Sequence, residues 1–212
     1  MTQGSPAKPR RLSMIRDFRL ADLITLANGF AGMGAILFIL RYVSSGERTA
    51  LWAAFCLLPL ALIFDVADGW VARRQRLSSA MGQELDSLAD LVSFGVAPAT
   101  LAFALGMDGG WDSLVLVYFV GCGISRLARF NATAATLADE ASGKVKYFEG
   151  TPIPTSLVLV AVLAALSAAG LVADEMLFGE LRIGPWRFHP LVLIFAASGS
   201  AMISKTLRVP KP

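Results

Sequence analysis

Between residues 22 and 204 the chain is a succession of six apolar stretches, at approximately 22–43, 49–68, 84–106, 112–131, 154–173 and 188–204. Each is close to the ~20 residues that a helix needs to cross a bilayer. Within lipid the backbone must satisfy its own hydrogen bonds, and a helix does so inside one segment. The fold class expected is an all-α integral membrane protein with six transmembrane helices. Composition agrees, with 55% hydrophobic and only 17% charged residues, against the roughly 25% charged of soluble domains. The expected organisation is a basic segment at 1–21, a six-helix domain at 22–204 and a short tail at 205–212. The basic, Pro-containing first 20 residues do not read as a cleavable signal peptide, so the first apolar stretch is expected to stay as a helix.

Four aspartates stand in or beside the second and third apolar stretches, within FDVADGWVARRQRLSSAMGQELDSLAD. Asp65 and Asp68 are three residues apart, and Asp86 and Asp90 are four apart. Each pair therefore shares one helix face. An ionised Asp in a membrane helix costs about 2.5–3.5 kcal/mol on insertion scales, so four together need a cation or a wet cavity to receive them. Carboxylate oxygens suit hard divalent ions such as Mg²⁺ or Mn²⁺. Two such ions a few ångströms apart serve attack at phosphorus. The expectation is two divalent cations, Mg²⁺ or Mn²⁺, held by Asp65, Asp68, Asp86 and Asp90 for phosphoryl chemistry. Gly69 and Gly82 leave room for a nucleotide at the backbone; close helix packing is the other reading of each glycine. Arg73, one turn past Gly69, can offer a planar fork to a diphosphate.

The whole pattern, Asp65-x-x-Asp68-Gly69-x-x-Ala72-Arg73, eight residues, then Gly82-x-x-x-Asp86-x-x-x-Asp90, resembles the signature of the CDP-alcohol phosphotransferase family at every position. The resemblance implies a six-helix protomer, usually a homodimer, with its active site open to the cytoplasm. It implies CDP binding by Asp68, Gly69, Ala72, Arg73 and Gly82, and a general base at Asp90, which takes the proton from an attacking hydroxyl. Two further strings, SRLARFN at 125–131 and KYFEGTPIP at 146–154, are similar to those of the bacterial and archaeal branch that uses serine. The substrates implied are CDP-diacylglycerol and L-serine, with phosphatidyl transfer at the lipid-bound phosphorus and CMP as leaving group.

Lys and Arg set the expected orientation. With six spans, fifteen of them fall on the side of the termini and the motif: Lys8, Arg10, Arg11, Arg16, Arg19, Arg73, Arg74, Arg76, Arg126, Arg129, Lys144, Lys146, Lys205, Arg208 and Lys211. Only Arg41, Arg48, Arg182 and Arg187 fall opposite. That bias places both termini and the motif in the cytoplasm, in a multi-pass protein of the inner (cytoplasmic) membrane. The N-terminal cations fit anionic headgroups; the net charge of +3 points to no nucleic-acid partner.

Arg126 and Arg129 share a face near the end of the fourth span. They either hold the acceptor's carboxylate or reach headgroup phosphates. Glu149 or Asn131 are candidates for the serine ammonium. Thr25 and Asn28 on the first span either line the nucleotide cavity or tie helices together. Gly150, Pro152 and Pro154 dictate an extended approach to the fifth span. Cys56 and Cys122 read as packing residues, and the single His189 as interfacial. Rival readings are a sibling enzyme taking glycerol 3-phosphate or inositol phosphate, an ion-coupled transporter, and a catalytically silent membrane protein. The transporter reading lacks the inverted repeats and paired broken helices of that class.

Overall fold

The computed structural model describes residues 19–75, 80–139, 147–204 and 208–210. The cations Lys8, Arg10, Arg11, Arg16, Arg76, Lys144, Lys146, Lys205 and Lys211 lie outside the described residues. Helix α1 (Leu20–Ser45) is followed by α2 (Arg48–Gln75). Helix α3 (Ala80–Asp90) continues through a π-helical segment (Leu91–Val96) into α4 (Ala97–Ala104). Helix α5 (Gly110–Asp139), α6 (Leu157–Ala168) and α7 (Leu193–Ile203) complete the bundle. The protein is an all-α membrane protein, and among the described residues four helical spans are long and apolar enough to cross a bilayer: Leu20–Ser45, Arg48–Arg74, Met81–Ala104 and Gly110–Ala132. Two shorter apolar helices, Ile153–Ala168 and Pro190–Ile203, follow.

Those last two elements are shorter than the stretches expected at 154–173 and 188–204, for local reasons. Gly170, left-handed at φ +76°, ends α6. At the start of each, a proline sits in the first turn of a short 3₁₀ segment, Ile153–Ser156 or Pro190–Val192. Hydropathy did not reveal two short ribbons outside the helices. Strand β2 (Leu181–Ile183) pairs antiparallel with β3 (Trp186–Phe188), and β1 (Tyr147–Glu149) with β4 (Arg208–Pro210).

Helix α1 lies against α2 along most of its length. Their turn is tight because Gly46 takes φ +69° and its N–H donates to the Tyr42 carbonyl, 2.8 Å away. Glu47 braces it, accepting from Thr49 Oγ1 (2.6 Å) and Arg41 Nε (2.9 Å). The Thr49 hydroxyl and the Arg41 charge hold the Glu47 carboxyl below its ordinary range. Ala35, Ile39, Leu58, Phe94, Leu101 and Phe195 are among the fully buried side chains that join the helices. Large apolar side chains also point outward, with Phe30 71% and Val117 69% exposed, as lipid-facing surface requires. Cys56 is exposed on this surface, against the expectation of a buried thiol, whereas Cys122 is buried.

The decisive close approach is between α1 and the π segment. A Cβ on Gly32 would stand 2.7 Å from Ser93 Cα, so only glycine admits that contact. The same approach lets Ser93 Oγ donate to the Asn28 carbonyl at 3.0 Å. The π turn itself precedes Pro98 near the start of α4. Gly32→Val should therefore destabilise the protein by about 1–3 kcal/mol, the usual cost of overpacking. Thermal unfolding in detergent measures this, and an unchanged midpoint would contradict the contact.

Candidate active site

The carboxylates are brought together by the antiparallel ends of α2 and α3. Asp65 and Asp68 lie one turn apart near the end of α2, and Asp86 lies on α3. Asp65, Asp68 and Asp86 each offer an oxygen, and these atoms lie within 4.8 Å of one another. Asp86 Oδ1 is buried with no hydrogen-bond partner among the described residues. A buried acceptor left without a donor costs free energy, and here three anions converge as well. Acceptor-only oxygens, crowded and under-satisfied, are the donor set that a hard divalent cation takes. The residues present therefore fit such an ion.

Asp90 stands one turn beyond Asp86, buried at 7% exposure, and is not among the three convergent ligands. Its Oδ1 accepts a hydrogen bond from Asn28 Nδ2 at 3.0 Å. One turn back on α1, Thr25 Oγ1 donates to Asp68 Oδ2 at 2.6 Å. Thr25 and Asn28 thus tie helices together through the carboxylates themselves. Asp22, a further turn back on α1, is buried at 7% exposure and accepts the Arg19 backbone N–H at 2.8 Å. Its charge reaches Asp68. Sequence reasoning passed over Asp22, although its spacing with Thr25 and Asn28 was the available signal.

The other expected site residues divide. Gly69 is followed one turn later by Arg73, whose Nη1 would lie 3.7 Å from a Cβ placed on Gly69. The arginine therefore folds back over the glycine, with the guanidinium above the bare backbone. Ala72 is half-buried on the same helix end, and Gly82 opens α3 on the facing side. Arg126 on α5 is half-buried, its Nε is buried without a hydrogen-bond partner, and its charge interacts with that of Asp90. Arg129, one turn later, is exposed. Arg126 is thus within electrostatic reach of Asp90.

The 150–154 segment also reaches this end of the bundle. Ile153 is fully buried, and its Cδ1 would lie 3.0 Å from a Cβ on Gly123 and 3.8 Å from one on Gly95. Both glycines lie within a turn or two of Arg126 or Asp90. Gly150, at φ +76°, has its Cα side against the Met202 carbonyl, and the Thr151 N–H donates to the Ala201 carbonyl at 3.2 Å. Asn131 is already committed. Its Oδ1 accepts from Ser87 Oγ (3.1 Å) and Gln83 Nε2 (3.3 Å), and its Nδ2 donates to Glu84 (3.2 Å). It braces α3 against α5, so it is not available to an acceptor ammonium. The Glu149 side chain lies outside what is described.

His189 sits away from these groups, buried at the start of the last apolar segment. Its Nδ1–H donates to Asp112 Oδ2 at 2.6 Å, and its backbone N–H to Asp112 Oδ1 at 2.8 Å.

A membrane bundle that gathers carboxylates from two helices beside a glycine-backed arginine has the donor set for a divalent cation and an anionic substrate. The sequence model of the CDP-alcohol phosphatidyltransferases matches residues 18–196, and the chain belongs to that family. It is similar to the CDP-diacylglycerol–serine O-phosphatidyltransferase of Saccharomyces cerevisiae, with 49% identity over 202 residues, 94% of this chain and 73% of that protein. The protein of the same name in Mycobacterium leprae is 33% identical over 208 residues, 97% of this chain and 62% of the relative. The archaetidylserine synthase of Methanothermobacter thermautotrophicus is 38% identical over 144 residues, 66% of this chain and 55% of the relative. The chain thus spans nearly three quarters of the yeast relative and under two thirds of the other two.

If the three carboxylates hold a divalent ion, adding Mg²⁺ or Mn²⁺ to the detergent-solubilised protein should raise its unfolding temperature. A site saturated at a hundred times its dissociation constant is worth about 2.7 kcal/mol. Asp86→Asn should abolish the shift while keeping the fold. A shift of equal size in that variant would remove Asp86 from the ligand set.

Proposed function

We propose that the chain transfers the phosphatidyl group of CDP-diacylglycerol to the hydroxyl of L-serine, giving phosphatidylserine and CMP. The observation that carries this is the grouping of Asp65, Asp68 and Asp86 with Asp90 one turn away and Arg126 facing it. The names of the three relatives support the choice of serine, as do the SRLARFN and KYFEGTPIP strings.

The chemistry follows from the side chains. Gly69, Ala72 and Gly82 leave a cleft floored by backbone and small side chains, with Arg73 at its rim to pair with a diphosphate. Asp68 borders the same cleft. Asp65, Asp68, Asp86 and Asp90 would hold two cations, Mg²⁺ or Mn²⁺, whose bound charge neutralises the diphosphate and the departing CMP. The serine oxygen forms its bond to the lipid-bound phosphorus as the bond to the CMP oxygen breaks. The hydroxyl proton passes to Asp90. Asn28 donates to Oδ1 of that carboxylate, whose second lone pair would serve the cation, and Oδ2 is left to take the proton. Arg126 meets the serine carboxylate with its unsatisfied Nε, and Arg129 flanks it. Both acyl chains stay in the bilayer throughout. In this reading the cleft opens to the cytoplasm from the inner membrane, where soluble serine arrives, and the working unit is a homodimer.

Release of labelled CMP from CDP-diacylglycerol, with each candidate alcohol offered in turn, tests the reaction. Serine should be the preferred acceptor. Preference for glycerol 3-phosphate or inositol phosphate would move the chain to a sibling activity and leave the family unchanged. Asp90→Asn should slow turnover ~10²–10⁴-fold, the usual worth of a general base, while nucleotide binding survives better than in Asp68→Asn. Arg126→Ala should raise the KM for serine about ten- to a hundredfold, matching a lost charge-assisted bond of roughly 1.5–3 kcal/mol. The KM for CDP-diacylglycerol should change far less. An unchanged serine KM would leave Arg126 without an acceptor role.

A further inference from the structure

At the far end of α5 from the carboxylates, the chain between α6 and α7 forms the β2–β3 hairpin. Its register pairs Leu181 with Phe188, Arg182 with Arg187, and Ile183 with Trp186. Cross-strand partners project to the same side of a ribbon, and successive residues to opposite sides. One face is therefore Leu181, Ile183, Trp186 and Phe188, and the other is Arg182 and Arg187. The apolar face is only partly covered by protein. Trp186 lies edge-on to Trp111, with centroids 5.3 Å apart, and the Trp111 indole donates to the Ile183 carbonyl at 3.0 Å. Leu181, Ile183 and Trp186 nevertheless remain 50%, 49% and 46% exposed.

The hairpin is held at a fixed height. The fully buried Asp112 accepts from the Gly109 N–H at 3.0 Å, and from both the backbone and ring of His189. This joins the first turn of α5 to the residue that follows β3. A Cβ on Gly110 would collide with Trp186, and one on Gly109 with the Arg187 carbonyl, so the ribbon lies directly on the helix start. Arg187 adds an ion pair with Asp108 at 3.0 Å. From Gly110 to Arg126 is roughly 24 Å of helix at 1.5 Å per residue, which sets the hairpin and the carboxylates near opposite membrane faces. The exposed apolar surface of α5 starts beside the ribbon, at Trp111, and runs on through Leu114, Tyr118 and Val117.

We propose that this hairpin lies in the headgroup–acyl boundary of the leaflet opposite the carboxylates, its apolar face in lipid and Arg182 turned to the phosphates. Three features select lipid as the occupant. The apolar face is continuous with the lipid-facing band of a spanning helix. Paired Trp side chains with a polar N–H end are the residues enriched at that depth. Arg182, with 83% of its side chain exposed and only a 3.4 Å edge contact of its Nε with Glu180, keeps the rest of its guanidinium for anionic headgroups. A ribbon of two three-residue strands falls far short of the ~800 Å² per partner of a stable protein interface. Phe178 extends the same surface, since its ring is 71% exposed and its backbone is held at φ +73°, a conformation uncommon for a bulky residue.

The test is a nitroxide scan of the full chain in phospholipid vesicles, with Cys56→Ala and Cys122→Ala and single labels at Leu181→Cys, Arg182→Cys and Ile183→Cys. Collision with oxygen should exceed collision with a water-soluble nickel chelate several-fold at 181 and 183, with the order reversed at 182. Nickel dominating at all three positions would place the hairpin in water and overturn the proposal. Protection from both reagents at 181 and 183 would mean a protein cover, such as a second copy, and would overturn it equally. With the native cysteines kept, Trp186→Phe should remove part of the tryptophan quenching caused by lipids brominated near the headgroup. Equal quenching in wild type and variant would contradict the placement.

Discussion

Two hydrogen bonds from the first helix decide where the carboxylates stand. Thr25 holds Asp68 on α2, and Asn28 holds Asp90 at the end of α3. Neither bond forms unless α1 comes within glycine distance of the chain after Asp90, and Gly32 against Ser93 supplies that distance. A buried, half-satisfied carboxylate is expensive, so each such bond helps to keep an anion in place inside a membrane bundle. The helix that carries none of the proposed metal ligands is thereby the one that orients two of them.

This arrangement separates the roles of chemically identical side chains. Asp65, Asp68 and Asp86 converge, and Asp86 keeps a buried oxygen with no donor. Asp90 has a donor on one oxygen and a cation, Arg126, within electrostatic reach. A carboxylate with one oxygen held by a donor keeps the other for a proton, even where it shares a cation with its crowded neighbours. Environment rather than residue type makes the difference, and it lies in Asn28 and Arg126.

The helical class was legible because apolar length is a one-dimensional property. The position of the carboxylates was legible because three- and four-residue spacings translate directly into helix faces. What sequence spacing does not carry is which faces meet. Thr25 and Asn28 were seen as polar residues in an apolar run, yet whether they faced a cavity or another helix depended on the Gly32 approach. Asn131, a candidate for the acceptor's ammonium, is a brace between α3 and α5. The partner of His189 was hidden for the same reason, since Asp112 is 77 residues away. The short strands escaped because three-residue ribbons have too little periodicity to register, and α6 and α7 were over-extended because hydropathy does not see a left-handed glycine or a 3₁₀ turn.

The two ends of α5 are built on opposite principles. At the Gly110 end, the buried charge is satisfied: Asp112 receives two backbone N–H groups and an imidazole N–H, which leaves nothing for a ligand to do. At the Arg126 end, satisfaction is withheld, with Arg126 Nε, Asp86 Oδ1 and Asn28 Oδ1 all buried without partners. Stability alone would favour the first arrangement at both ends, because each orphaned buried group carries a penalty of about 1–3 kcal/mol. Ser167 Oγ, near the end of α6 on the hairpin side, is also buried without a partner among the described residues, as is Ser156 Oγ, but both are neutral hydroxyls. The orphaned groups that carry charge, Arg126 Nε and Asp86 Oδ1, both stand at the carboxylate end, and this is what supports the binding site proposed there.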